Sequence, residues 1–185
     1  LAGPHEALSH RLKLVGLDAE TRFGMSADTP PKLVVGDNVE IEILSPMSRS
    51  GMGSHFHEGL KERVTALRYL EFSLKDPVRH VALYRNGIEV MTPSPERFAL
   101  HKLIVAQLRQ GPFAIKRQKD LSQASWLLDV LVETRPYETW VAYSDLLKRG
   151  KRWVHHLEKS LMMAGPAKSA LERLSQEYSG PGLDD

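Results

Sequence analysis

Two carboxylates at alternate positions, Glu40 and Glu42 in Val39-Glu40-Ile41-Glu42-Ile43-Leu44, carry the clearest metal chemistry in the sequence. Side chains alternate across a β-strand, so both acids share one face and Val39, Ile41 and Ile43 share the other. Hard oxygen ligands of this kind can hold a divalent cation. In two-metal sites such ions clamp the attacking and leaving oxygens of a phosphoryl or nucleotidyl transfer. The same alternation also describes a half-exposed strand with one solvated face. Downstream, Ser48–Ser54 (SRSGMGS) has the glycines and hydroxyls of a phosphate-cradling loop, with Arg49 among them. It lacks the Gly-Lys-Ser/Thr ending of a P-loop and reads as a surface loop. His55 and His57 form a His-x-His pair with no third ligand in view, so they read as a surface pair as well.

The cations come later. Lys102 lies mid-course in a helical pattern beside apolar Phe98, Leu103, Ile104 and Leu108. At the edge of a core face its ammonium would neutralise a triphosphate as a point charge. In an ordinary amphipathic helix the stem would simply lie over apolar surface. Lys116, Arg117 and Lys119, with Arg109 across the Gly111-Pro112 turn, make a local anion-attracting patch. Asp120 suits the positive end of the helix that begins there. Lys148, Arg149, Lys151, Arg152, His155 and His156 form the most basic segment, fit for nucleic-acid phosphates and equally for a charged helix junction. Trp126, Trp140 and Trp153 sit near Leu or Val at helical spacing and read as helix-packing core.

These groups need elements to hold them. The periodicity predicts a short helix over residues 4–15, a strand at 21–25, a loop at 26–31, and strands at 32–35 and 39–44 around Gly36-Asp37-Asn38. Residues 47–59 read as a long loop and 60–67 as a helical turn or two, while 69–74 is ambiguous between helix and strand. A hairpin over 78–84 and 88–91 turns at Arg85-Asn86-Gly87. Ser94 is a good N-cap, with Pro95 at the first helical position. From there helices are predicted over about 94–109, 117–133, 136–149, 151–164 and 167–178, punctuated by Gly and Pro. Residues 179–185 (SGPGLDD) read as a flexible tail.

A chain of 185 residues with 42% hydrophobic content can bury a substantial core, about 70% of its unfolded surface. Twenty-five basic against 23 acidic residues leave a net charge of +2, too little to steer the whole molecule toward nucleic acid. The absence of cysteine excludes disulfides, thiolate catalysis and Cys-type zinc sites, and fits a reducing cytoplasm. No apolar run reaches the roughly 18 residues of a membrane span, and no stretch reads as a signal peptide.

The stretch Pro95-Glu96-Arg97-Phe98-Ala99-Leu100-His101-Lys102-Leu103-Ile104-Val105-Ala106, with Lys116-x-x-Lys119-Asp120-Leu121-x-Gln123-Ala124, resembles the GSU2403-type nucleotidyltransferase-fold family. The similarity runs from about Gly16 to Gly165. It implies an α/β (α+β) fold, a nucleotidyltransferase-like mixed sheet followed by a C-terminal helical bundle. Residues 1–93 would be the α/β part, 94–178 the helical lobe and 179–185 the tail. The reaction implied is metal-dependent transfer of a nucleoside monophosphate from an NTP to an unknown acceptor, with Mg²⁺ as cofactor. The run Ile41-Glu42-Ile43-Leu44-Ser45-Pro46 is similar to a family strand of the type Val-Asp-Leu-Leu-Thr-Pro. That similarity makes Glu42 the catalytic, metal-binding acid, with Glu replacing Asp and Glu40 beside it at the metal. Lys102, Lys116 and Lys119 would face the nucleotide. Family members place a Gly-Gly or Gly-Ser turn and an Asp-x-Asp strand before the segment that matches residues 5–45. Neither occurs here, and the sequence begins Leu1-Ala2-Gly3-Pro4 without methionine, so the expectation is a fragment whose N-terminal catalytic strands are missing. The expected partners are a nucleotide and an RNA or protein acceptor, with no membrane. The competing expectation is a non-catalytic module that binds a protein or nucleic acid through its basic helices.

Overall fold

The computed structural model describes residues 6–20, 32–35, 39–47 and 53–178. The chain divides into two compact units, Leu1–Leu70 and Glu71–Asp185. The predicted strand at 21–25, the loop at 26–31, the turn at 36–38, most of the SRSGMGS loop and the tail at 179–185 lie outside the described residues.

In the first unit, helix α1 (Leu8–Lys13) is shorter than predicted, buries no residue, and stops before Gly16, whose φ is +84°. Strands β1 (Asp18–Glu20), β2 (Lys32–Val35) and β3 (Val39–Ile41) form an antiparallel sheet in that order. Val35 stands opposite Val39, the register of a tight β2–β3 connection. The strand expected over 39–44 breaks after Ile41. Its continuation, β4 (Leu44–Pro46), joins a second sheet, parallel to β6 (Glu62–Leu67), which also pairs antiparallel with β5 (Ser54–His57). The order β4-β6-β5 leaves β4 at an edge, where Pro46 can stand without an N–H to donate. Two predicted irregular or helical stretches are therefore strands. In β6 the alternation decides it, since Val64 and Ala66 are buried and their neighbours are not. Residues 54–57 pair with it instead of looping.

From α2 (Leu70–Leu74) onward the predicted elements recur closely. Strands β7 (Val78–Ala82) and β8 (Ile88–Thr92) form the antiparallel hairpin, with Arg85 and Gly87, not Asn86, at positive φ. A side chain at Gly87 would meet Val81 Cγ1 at 2.9 Å, so glycine is required there for space as well as for backbone conformation. Helices α3 (Pro95–Leu108), α4 (Lys116–Thr134), α5 (Pro136–Lys148), α6 (Lys151–Leu161) and α7 (Gly165–Tyr178) follow, with a 3-10 turn at Gly111–Ile115. Ser94 caps α3 by accepting the Arg97 N–H at 3.3 Å. α3 runs against α4, α5 and α6, and its Ala99, Leu100, Leu103, Ile104 and Ala106 are fully buried. Of the tryptophans, Trp153 is in the core against Phe72 and Trp140 stacks on Tyr178 at 5.8 Å. Trp126 is not core. It is 74% exposed, because α4 turns Leu121, Ala124, Leu128 and Leu131 inward and Trp126 lies off that stripe.

Candidate functional site

Glu40 sits on β3 opposite Val34, and Glu42 follows the end of β3, before β4 takes up a different sheet. Exposure alternates residue by residue from Glu40 to Met47, so both acids lie on the exposed side, as the period of two requires. Among the described residues no group of three or more His, Asp or Glu side chains converges as a metal site. Mg²⁺ takes only one or two carboxylates from a protein when phosphates and water fill its remaining positions. Glu40 and Glu42 therefore fit a divalent cation in kind and make no complete cage by themselves. His55 and His57 belong to strand β5, not to a loop, with ring centroids 6.5 Å apart. His55 Nε2 lies 3.4 Å from Ser45 Oγ. Glu62, opposite His57, is engaged by the hydroxyl and backbone N–H of Ser9.

Two of the cationic positions of the second unit, Lys102 and Arg109, meet at Asp120 near the start of α4. Lys102 Nζ donates to Asp120 Oδ1 at 2.9 Å and Arg109 Nε donates to Asp120 Oδ2 at 2.9 Å. The Asp120 side chain is only 6% exposed and that of Lys102 17%. Burial pushes the Asp120 pKa up, but the hydrogen bonds from Lys102 and Arg109 outweigh it and hold the carboxyl below its usual value. The two sequence blocks around Lys102 and Asp120 are thus the two halves of one ion cluster. Two cations on one carboxylate leave it with one net positive charge. The signal available in the sequence was Asp120's place next to Leu121, which puts it at the edge of the α4 core face. The Lys102 ammonium also lies 4.9 Å over the Phe98 ring. Arg117 turns inward to donate to the carbonyls of Ala106 and Arg109, at 3.1 and 2.8 Å, closing the end of α3. Lys116 and Lys119 remain exposed, Lys116 over Phe113.

His101, one residue before Lys102, has its pKa pushed down to about 4, first by burial and then by the Lys102 charge. Its folded pKa lies below the unfolded value, so between pH 6.5 and 4 the unfolded chain binds a proton that the folded chain does not. Stability then falls as pH drops through that window, by about 2–3 kcal/mol from pH 7 to pH 4.5. Urea denaturation at the two pH values measures this, and His101→Gln removes the loss.

Two further charged residues of α3, Glu96 and Arg97, point inward although both fall in its first turn. Arg97, 5% exposed, donates to Asp145 at 2.7 Å and to Asp76 at 3.1 Å while lying 4.9 Å over Phe72. Glu96, 2% exposed, has Arg135 Nε 2.7 Å from its Oε1, a charge contact without an aligned hydrogen bond. A cleft of about 240 Å³ opens here, lined by Glu96, Arg97, Arg135, Tyr137, Glu138 and Val141.

Small sheets, one of them mixed, followed by a helical region define an α/β protein. A family model described as nucleotidyltransferase matches residues 21–148. The chain belongs to the nucleotidyltransferase family. No curated protein and no solved structure matches it. Family membership brings nucleotidyl transfer as the general activity and a nucleotide as substrate, and the matched span contains Glu40, Glu42, Lys102, Lys116 and Lys119. No helix of the described residues is long and apolar enough to cross a membrane.

Proposed function

We propose that this chain transfers a nucleoside monophosphate from an NTP to an acceptor in a metal-dependent reaction, in the manner of the GSU2403-type proteins it resembles. The observation that carries the reading is the family match, which spans the acids and the lysines together. Glu42, with Glu40 beside it, would hold Mg²⁺, which when bound supplies charge neutralisation at the phosphates. Lys116 and Lys119, exposed at the start of α4, would bind and orient the triphosphate as point charges. Lys102 would act from inside the Lys102–Asp120–Arg109 cluster, whose net positive charge adds to theirs. The acceptor in this reading is an RNA or a protein.

The test is transfer of label from an α-phosphate-labelled NTP to total RNA or protein with Mg²⁺. Glu42→Gln is expected to slow labelling by about 100-fold, the scale of losing one preorganised charge interaction at a transfer site. Equal labelling by wild type and variant would remove Glu42 from the reaction. A second reading, a non-catalytic module that contacts nucleic acid or protein through basic helices, is favoured by one observation, the cations on the outer face of α6.

A further inference from the structure

The second unit pairs many of its cations with acids: the inward Arg97, Lys102, Arg109, Arg135 and Arg149, and on the surface Lys168 and Arg173, all have carboxylate partners. Besides Lys116 and Lys119 at the start of α4, a larger contiguous set has none. Lys148 at the end of α5, then Lys151, Arg152, His155 and Lys159 on α6, are exposed and form no salt bridge among the described residues. Glu158 is the lone acid of that helix. Four residues of helix advance about 6 Å, so Lys151, His155 and Lys159 stand in a row along one side of α6. Glu158, three residues after His155 and seven after Lys151, lies on the same side and is the one carboxylate within the row.

Three surroundings sharpen the feature. Trp153 and Leu157 of α6 are buried in the core, and the charged side of the helix faces outward, with Met162 and Met163 exposed just beyond its last turn. The junction is held in place by Arg149, which bonds Glu71 at 3.2 Å and lies over both Phe72 and Trp153. No side chain caps α6 at Gly150, so the amide ends of its first turn add their positive field next to Lys151 and Arg152. The nearby His156 feels the same field: burial first, then His155 and Lys159, hold its pKa below the usual value.

We infer that the outer face of α6, together with Lys148, is a nucleic-acid-binding surface that grips the phosphodiester backbone. The charged groups of this surface suit phosphate contacts, with the exposed Met162 and Met163 at its far end, so binding is expected to depend little on sequence and steeply on salt. A membrane fits less well, because a surface-bound helix must bury a long apolar face in the bilayer, and here Trp153 and Leu157 are in the core with Met162 and Met163 alone exposed at the helix end. The inference does not rest on nucleotidyl transfer. If the chain is a transferase, this surface would hold a nucleic-acid acceptor.

Fluorescence anisotropy of the full chain with a labelled single strand of about 20 nucleotides, as RNA and as DNA, over about 50 to 300 mM KCl tests it. The logarithm of the binding constant should fall linearly with the logarithm of salt concentration. Removing three cations together (Lys151→Gln, Arg152→Gln, Lys159→Gln) should reduce that slope by about 2, at about 0.7 per lost phosphate contact. The double variant Lys168→Gln/Arg173→Gln, on α7, should bind like wild type. Absence of binding at the lowest salt, an unchanged slope in the triple variant, or an equal loss in the α7 control would overturn the assignment. So would tighter binding to phosphatidylserine vesicles than to either oligonucleotide.

Discussion

Asp120→Ala is expected to lower the unfolding free energy by about 3–5 kcal/mol, the range for removing one partner from a buried charge pair. The carboxylate is nearly enclosed and receives both Lys102 and Arg109 at 2.9 Å. Without it two cations of α3 and its C-cap face each other with no anion between them. Lys102→Met should cost less, because Arg109 still satisfies the carboxylate. An acid limb accompanies this. The folded pKa of Asp120 lies below the ordinary value of 3.8, so its stabilisation is present above that pH and is lost as pH falls through the depressed folded value. That window lies below the one in which His101 acts, and Asp120→Asn should flatten only the lower one. Urea midpoints measured from pH 7 downward separate the two; an Asp120→Ala midpoint within error of wild type would contradict the cluster's role.

Arg97→Ala should be nearly as severe, about 3 kcal/mol. Its guanidinium is 5% exposed and bridges Asp145 and Asp76, so it ties the start of α3 to α5 and to the segment before β7. Burial raises the Asp145 pKa, while Arg97 first, then Arg149 and Lys75, bring it below normal. Those two neighbours, both 3.5 Å away, remain in the variant and temper the loss. Phe72 lies between two guanidiniums, Arg97 at 4.9 Å and Arg149 at 5.1 Å. An ammonium cannot reproduce a planar fork that bridges two carboxylates and lies over a ring, so Arg97→Lys should recover less than half of the stability. Thermal or urea denaturation decides this, and full recovery by lysine would show that only the charge matters.

The helices of the second unit were legible because their signals are local: Ser94-Pro95 opens α3, Gly111-Pro112 and Gly165-Pro166 separate elements, and apolar residues recur at the helical period. The first unit was harder. Glu62–Leu67 carries a strand alternation only six residues long, and its pairing partners, β4 and β5, come from earlier in the chain, so tertiary pairing decided what a short window could not. The same limit applies to charge. Lys102 was read as a free cation and Asp120 as a helix-end acid because residues 18 positions apart have no local reason to meet; the packing of α3 on α4 brings them together. Glu96 and Arg97 fall in the first turn of a well-capped helix, where charged side chains are normally solvated. Only the arrival of Arg135, between α4 and α5, and of Asp145 from α5 explains their burial.

Calorimetric titration of the chain with a non-hydrolysable NTP and Mg²⁺ asks most directly whether Glu42 and Lys119 each take part in nucleotide binding. Binding that requires Mg²⁺ and weakens at least about tenfold, or 1.4 kcal/mol, in both Glu42→Gln and Lys119→Gln is the expected result. Dissociation constants unchanged in both variants, or by removal of Mg²⁺, would contradict it.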